Sequence, residues 1–290
     1  MKVLVLGAGG LLGRALRATV PAGVALTALE RAALDVTDPT ALAKALASHA
    51  PEAVINAAAY TAVDRAEAEP VRADAVNHRA VAALGAACAA AGARLLHVST
   101  DFVFDGARGS AYPPDAEPNP LGAYGASKLA GERALAAQPG LDWLVLRTAW
   151  VHSPQGRGFV QAILQALRDP GRAEVVVDQL GSPTAARSLA ACLWRALEVP
   201  ALRGLQHFTD AGVASRYDWA VAIRDEGARL GLAAAEAEVR PVTSASRPAP
   251  PARRPPCAVL DSTATCATLG FERRHWREGL RDTLEAIARG

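Results

Sequence analysis

Tyr124 and Lys128 stand four residues apart in YGASKLAGE, a spacing that puts a phenol and an ammonium on one helix face about one turn apart. A free phenol has a pKa near ~10, and a cation beside it favours the phenolate, so such a pair can pass a proton to or from a carbonyl oxygen. The same spacing also occurs in ordinary amphipathic helices. The lysine is what draws notice: only Lys2, Lys44 and Lys128 interrupt an otherwise all-arginine set of cations. Arginine supplies charge as a planar fork, whereas lysine supplies it as a compact point.

Two further stretches carry chemistry. HVSTDFVFDG, His97 to Gly106, leaves an apolar run where a strand would end, and a hydroxyl there can hydrogen-bond a carbonyl. Ser99 and Thr100 are both candidates, and strand alternation allows only one of them to face a ligand. His97 reads as a core histidine. GAGGLLG places glycines at 7, 9, 10 and 13, with Leu12 where a G-x-G-x-x-G pattern would need glycine. The spacing present is GxxGxxG, a tight turn whose amides can approach a pyrophosphate at a helix N-terminus. At the end of the next apolar run, Glu30 suits ribose hydroxyls and Arg31 suits a 2′-phosphate, so NADPH and NADH both remain open. Either Thr37 or Asp38 makes a good N-cap in DVTD.

The elements that must position these groups follow from periodicity. Short apolar runs at Val3–Leu6, Ala25–Leu29, Ala53–Asn56, Arg94–Ser99 and Trp143–Arg147 alternate with helical patterns at Leu11–Thr19, Thr40–Ser48, Ala73–Ala91 and Ala123–Ala137. This predicts an α/β fold, a doubly wound parallel sheet of Rossmann type, with a smaller C-terminal substrate-binding domain. Residues 1–150 are expected to form the dinucleotide-binding domain, with parts of about 173–200 returning to it, and 151–290 mainly the second domain. There the pattern predicts helices at Phe159–Leu167, Ala185–Leu197, Tyr217–Leu230 and Trp276–Ile287, strands at Glu174–Val177 and Gln206–Thr209, and a proline-rich basic loop over Arg247–Pro256.

With 51% hydrophobic residues the chain can bury a large core, and its formal charge of +2 gives no reason to expect nucleic acid or an anionic membrane as partner. Four cysteines without a CxxC argue against disulfides and zinc, and read as cytoplasmic thiols. No run is long and apolar enough to suggest a membrane span. No metal is expected, and a homodimer is left open.

Together GAGGLLG, LDVTD, PEAVINAAAYTAVDRAE, STDFVFDG, YGASKLAGE, LRTAWV, VVDQLGSPT and PARRPPCAVLD resemble the extended short-chain dehydrogenase/reductases, over nearly the whole chain. Within that family they are most similar to the reductases of dTDP-linked 4-keto-6-deoxy sugars. The resemblance implies reduction of the 4-keto group of dTDP-4-dehydro-L-rhamnose by NADPH or NADH, with Thr100, Tyr124 and Lys128 as the catalytic group and Tyr124 the proton donor. It also implies that Gly7, Gly10, Leu11, Leu12 and Gly13 line the pyrophosphate. Asp35 and Val36 would meet the adenine side, and Ala58, Ala59 and Tyr60 the middle of the cofactor. Thr61, Val63, Asp101 and Trp150 would meet the sugar nucleotide, and Arg254 its phosphates. Phe102, Pro113-Pro114 and Cys257-Ala258 depart from the family pattern. A dehydratase would need a glutamate where Phe102 stands. A dinucleotide-binding regulatory subunit, or a reductase or epimerase of another 4-keto-6-deoxy sugar, are the competing readings.

Overall fold

The computed structural model describes residues 1–168, 171–234 and 236–290. The first half alternates β1 (Lys2–Leu6), α1 (Leu11–Ala18), β2 (Ala25–Leu29), α2 (Pro39–His49), β3 (Ala53–Asn56), α3 (Val63–Ala68), α4 (Pro70–Asp74), α5 (Ala80–Ala91), β4 (Arg94–Thr100), α6 (Ala123–Ala136) and β5 (Trp143–Thr148). The second half carries β6 (Val151–His152), α7 (Phe159–Ala166), β7 (Arg172–Val176), β8 (Leu180–Gly181), β9 (Thr184–Ala185) and α8 (Ala186–Glu198). It continues with β10 (Gly204–His207), β11 (Ala214–Ser215), α9 (Arg216–Arg229), β12 (Glu238–Val242), α10 (Thr263–Leu269) and α11 (Trp276–Ala288).

The short apolar runs form strands because both of their faces are covered. The main sheet has the order β10-β5-β4-β3-β1-β2, with every neighbouring pair parallel. Leu12 and Leu16 of α1 pack with Leu189, Leu193 and Trp194 of α8 on one face. Leu42 and Leu46 of α2, Val81 and Leu84 of α5 and Leu135 of α6 fill the other. Each fully buried leucine contributes about 1.5–3 kcal/mol of transfer free energy. The chain winds outward in opposite directions from β1, which opens a crevice at the carboxyl ends of the strands.

Several elements differ from expectation. The helix predicted over Ala73–Ala91 is interrupted by a π-helical turn at Ala75–Arg79, which carries the buried Asn77. Helices α3, α4 and α10 and strand β12 carry too little periodicity to be read from sequence. Within 173–200, α8 packs on the main sheet, but β7 pairs with β12 in the second unit. Strand β10 adds to the edge of the main sheet beside β5, and Leu269 of α10 joins its core, so elements beyond residue 200 also return to it. The second unit packs α7, α9 and α11 on β7 and β12 around Trp219, with Val160, Leu164, Ile223 and Leu280. No helix among the described residues is long and apolar enough to cross a membrane.

Candidate active site

Strand β4 ends at Thr100 and α6 begins at Ala123, and two contacts hold these ends together. Gly125 lies so close to the Phe102 carbonyl that a Cβ at this position would collide with it. The first turn of α6 has no cap from its own N-cap residue, Gly122; instead the Ala123 N–H donates to Glu67 Oε1 of α3 at 2.8 Å. Tyr124 is thereby buried against Phe102, ring edge to face at 5.5 Å.

Strand alternation decides between the two hydroxyls. Ser99 turns inward and donates to Glu132 Oε1, a carboxylate also gripped by Arg147 Nη2 at 2.6 Å. Thr100 stays beside Tyr124, donating to Asp101 Oδ1 at 3.0 Å and accepting from the Phe102 N–H at 3.2 Å. Burial pushes the Tyr124 phenol up to about 12, eased by the Thr100 hydroxyl and raised further by Asp101. Lys128, 1% exposed, is pushed down to about 8 by burial, opposed by Glu132. This corrects the expectation that Lys128 depresses the Tyr124 pKa. Its Nζ lies 3.0 Å from His97 Nε2 and 2.7 Å from the Val98 carbonyl, and burial dominates the phenol.

The glycine turn leads into α1 with Gly10 as an N-cap that offers no side-chain bond, which leaves the amides of Leu11, Leu12 and Gly13 to face an anion. Gly7, at φ +79°, packs against the Ala58 backbone, where a Cβ would collide. This donor set fits a pyrophosphate. Glu30 is paired with Arg17 at 3.1 Å, while Arg31 is exposed at the end of β2. Asp35 accepts from the Thr37 hydroxyl at 2.7 Å and its amide at 2.9 Å, which lowers its pKa, and Val36 is half-buried beside it. Asp38 rather than Thr37 caps α2. Ala58 and Ala59 are half-buried beyond β3. Tyr60 is fixed at both backbone atoms by the Asn77 side chain, and its hydroxyl donates to Glu69 at 2.8 Å.

On the opposite side, Asp101 and Trp150 meet Arg216, the first residue of α9. Burial pushes the Asp101 carboxyl up to about 6, with the Thr100 hydrogen bond and the Arg216 guanidinium pulling the other way. Trp150 adopts φ +47°, uncommon for a bulky residue, and the Arg216 guanidinium lies 3.6 Å from its ring centroid. Val63 packs with Phe102 against Tyr124, whereas Thr61 is exposed. Arg254 is drawn away from the open role expected of it: it pairs in bidentate fashion with Asp64, at 2.8 and 2.7 Å. The proline-rich segment is thus a strap, continued by the Leu180 N–H donating to the Pro256 carbonyl at 2.7 Å. Sequence reasoning missed Arg216 and Glu67. Arg216 lies in an ordinary capping box, Ser215 to Asp218, and Glu67 acts on a helix 56 residues away, so neither shows a local signal.

A parallel sheet of this order, a glycine turn at its first helix and a Thr-Tyr-Lys group at its strand ends define a Rossmann-type short-chain dehydrogenase/reductase. The family described as RmlD substrate binding domain matches residues 1–289, and the chain belongs to that family. It is 42% identical to the dTDP-4-dehydrorhamnose reductase of Streptomyces griseus, over 98% of this chain and 93% of that one. The crystal structure of a dTDP-4-dehydrorhamnose reductase from Clostridium acetobutylicum superposes with a TM-score of 0.90 at 32% identity, covering 99% of both chains. The structure of the Bacillus anthracis dTDP-4-dehydrorhamnose reductase in complex with NADP gives 0.88 at 28% identity, over 97% of this chain and 98% of that one.

Proposed function

We propose that the chain reduces the 4-keto group of dTDP-4-dehydro-L-rhamnose to dTDP-L-rhamnose with NADPH. The observation that carries this reading is the buried Thr100 and Tyr124 pair at the carboxyl end of a parallel sheet, in a chain whose relatives bear that name. The amides at the start of α1 would hold the pyrophosphate. Pairing of Glu30 with Arg17 leaves Arg31 as the cation for a 2′-phosphate, which favours NADPH over NADH, as does the NADP complex of the Bacillus anthracis relative. Asp35 and Val36 would flank the adenine, Ala58, Ala59 and Tyr60 the middle of the cofactor, and Lys128 the nicotinamide ribose.

When bound, the cofactor supplies a hydride to the carbonyl carbon. Tyr124, kept protonated by burial, gives its proton to the carbonyl oxygen, and the Thr100 hydroxyl orients that oxygen by hydrogen bonding. Thr61, Val63, Asp101 and Trp150 are assigned to the sugar. Arg216 is assigned to the diphosphate in place of Arg254, whose fork is taken by Asp64, because a planar guanidinium suits phosphate oxygens and that of Arg216 lies beside Asp101 and Trp150. The second unit supplies the two arginines, and the first unit the sugar contacts. The four free cysteines support a reducing, cytoplasmic setting.

The test is cofactor oxidation with dTDP-4-dehydro-L-rhamnose, NADPH and NADH being compared side by side and the product identified as dTDP-L-rhamnose. A folded protein that oxidises neither cofactor with this substrate rejects the reading.

A further inference from the structure

Arg216 opens α9 and Trp219 follows one turn later on the same face, so both side chains reach the junction of the two units. There the Arg216 guanidinium lies 3.6 Å from the Trp150 ring centroid, 5.2 Å from that of Phe159 and 5.6 Å from that of Trp219. The indoles of Trp150 and Trp219 stack with their centroids 5.5 Å apart, and Phe159 stacks on Trp219 at 4.6 Å. Of these rings only Trp150 comes from the first unit. Two features of the backbone bring it here. Its φ of +47° turns the chain out of the direction of β5, a conformation that a bulky residue holds only where packing imposes it. Gly181 of β8 leaves room for the indole, because a Cβ there would collide with it.

An arginine held by its face keeps its edge. The five N–H donors of a guanidinium lie in its plane, whereas an aromatic seat engages the flat face. Arg254 shows the contrary case, its fork being closed by both oxygens of Asp64. Among the described residues no carboxylate stands within ion-pair distance of Arg216, and Arg216 borders the same cleft as Asp101 and Gln179. Burial draws its pKa down to about 10, opposed by Asp101, so it is a cation throughout the neutral range. We propose that Trp150 and Gly181 are positioning residues that seat Arg216 flat against an indole, so that its donors meet the diphosphate of the sugar nucleotide already oriented. The gain is one of preorganisation: the long side chain is ordered before the ligand arrives, so binding does not have to order it. This role of the seat rests on the reductase reading, which supplies a sugar nucleotide as the ligand.

Calorimetric titration with dTDP tests the seat without turnover, since dTDP carries the diphosphate and no ketone. Trp150→Leu removes the ring face and is expected to weaken dTDP binding by about tenfold, within the range of a desolvated cation–π contact. Trp150→Phe keeps a face and should recover much of that loss. In an Arg216→Met background the same Trp150→Leu change should alter dTDP affinity by less than about twofold, because the guanidinium it seats is gone. NADPH affinity, measured on the same samples, should not move and so reports that each variant is folded. Arg216→Lys decides the matter where Trp150→Leu does not fold: the ammonium keeps the charge but has no flat face, so dTDP should weaken nearly as far as in Arg216→Met. Equal losses from Trp150→Leu in the two backgrounds overturn the proposal, as do an Arg216→Lys protein that binds dTDP like the wild type and a wild-type protein that does not bind dTDP. A coupled pair in a protein without reductase turnover would instead count against the functional reading alone.

Discussion

At Tyr124 the phenol is pushed up to about 12 by burial, so it holds its proton throughout the neutral range and is suited to giving it away. Tyr124→Phe is expected to lower NADPH oxidation by about 10²-fold or more, with NADPH binding by fluorescence titration retained; comparable turnover would remove the phenol from the reaction. Asp101 makes a different prediction. Its carboxyl titrates at about 6 in the folded chain against an ordinary 3.8, so between these values the folded state binds more protons than the unfolded one. Stability therefore falls as pH rises through that window, and above it the native protein carries the full cost of a buried carboxylate. Asp101→Asn keeps the acceptor for Thr100 and should melt at a higher temperature than wild type at pH 7, the gap closing toward pH 4. An equal gap at both pH values would show that ionisation is not its cause.

Helix α6 is where local sequence and tertiary contact meet, because it carries Tyr124 and Lys128 and is held at its first turn by groups from elsewhere. Gly125→Ala forces a methyl into the Phe102 carbonyl, which should cost about 1–3 kcal/mol in urea denaturation. Turnover should fall more than stability does, since the same displacement parts Thr100 from Tyr124; a loss of stability alone would mean that the approach serves only packing. Glu67→Ala removes the acceptor for Ala123 N–H, and by analogy with N-cap losses should cost about 1 kcal/mol in the same experiment.

Across the whole molecule, the strap from the second unit closes over the site through Arg254 and Asp64. This pair is 23% and 44% exposed at its side chains, so water screens it and it contributes at most about 1 kcal/mol to folding. Asp64→Asn is accordingly expected to leave the melting temperature nearly unchanged while raising KM for the sugar nucleotide. A stability loss with unchanged KM would make the strap purely structural. Arg216, presented by α9 of the second unit against Trp150 and Asp101 of the first, belongs to the same scale.

The alternation of strands and helices, the glycine turn and the Tyr-Lys pair were legible in the amino-acid sequence, because each depends on residues within a few positions of one another. Periodicity of burial and the absence of Cβ atoms act locally, and they leave a local pattern. Tertiary structure alone turned Ser99 toward Glu132, added β10 to the sheet, clamped Arg254 to Asp64 and brought Arg216 beside Asp101. It also set Lys128 against His97, 31 residues away, and Arg254 against Asp64, 190 away. Whether a buried lysine is charged, or an arginine is available to a phosphate, depends on which distant donors and acceptors reach it, and that is decided only when the chain has packed.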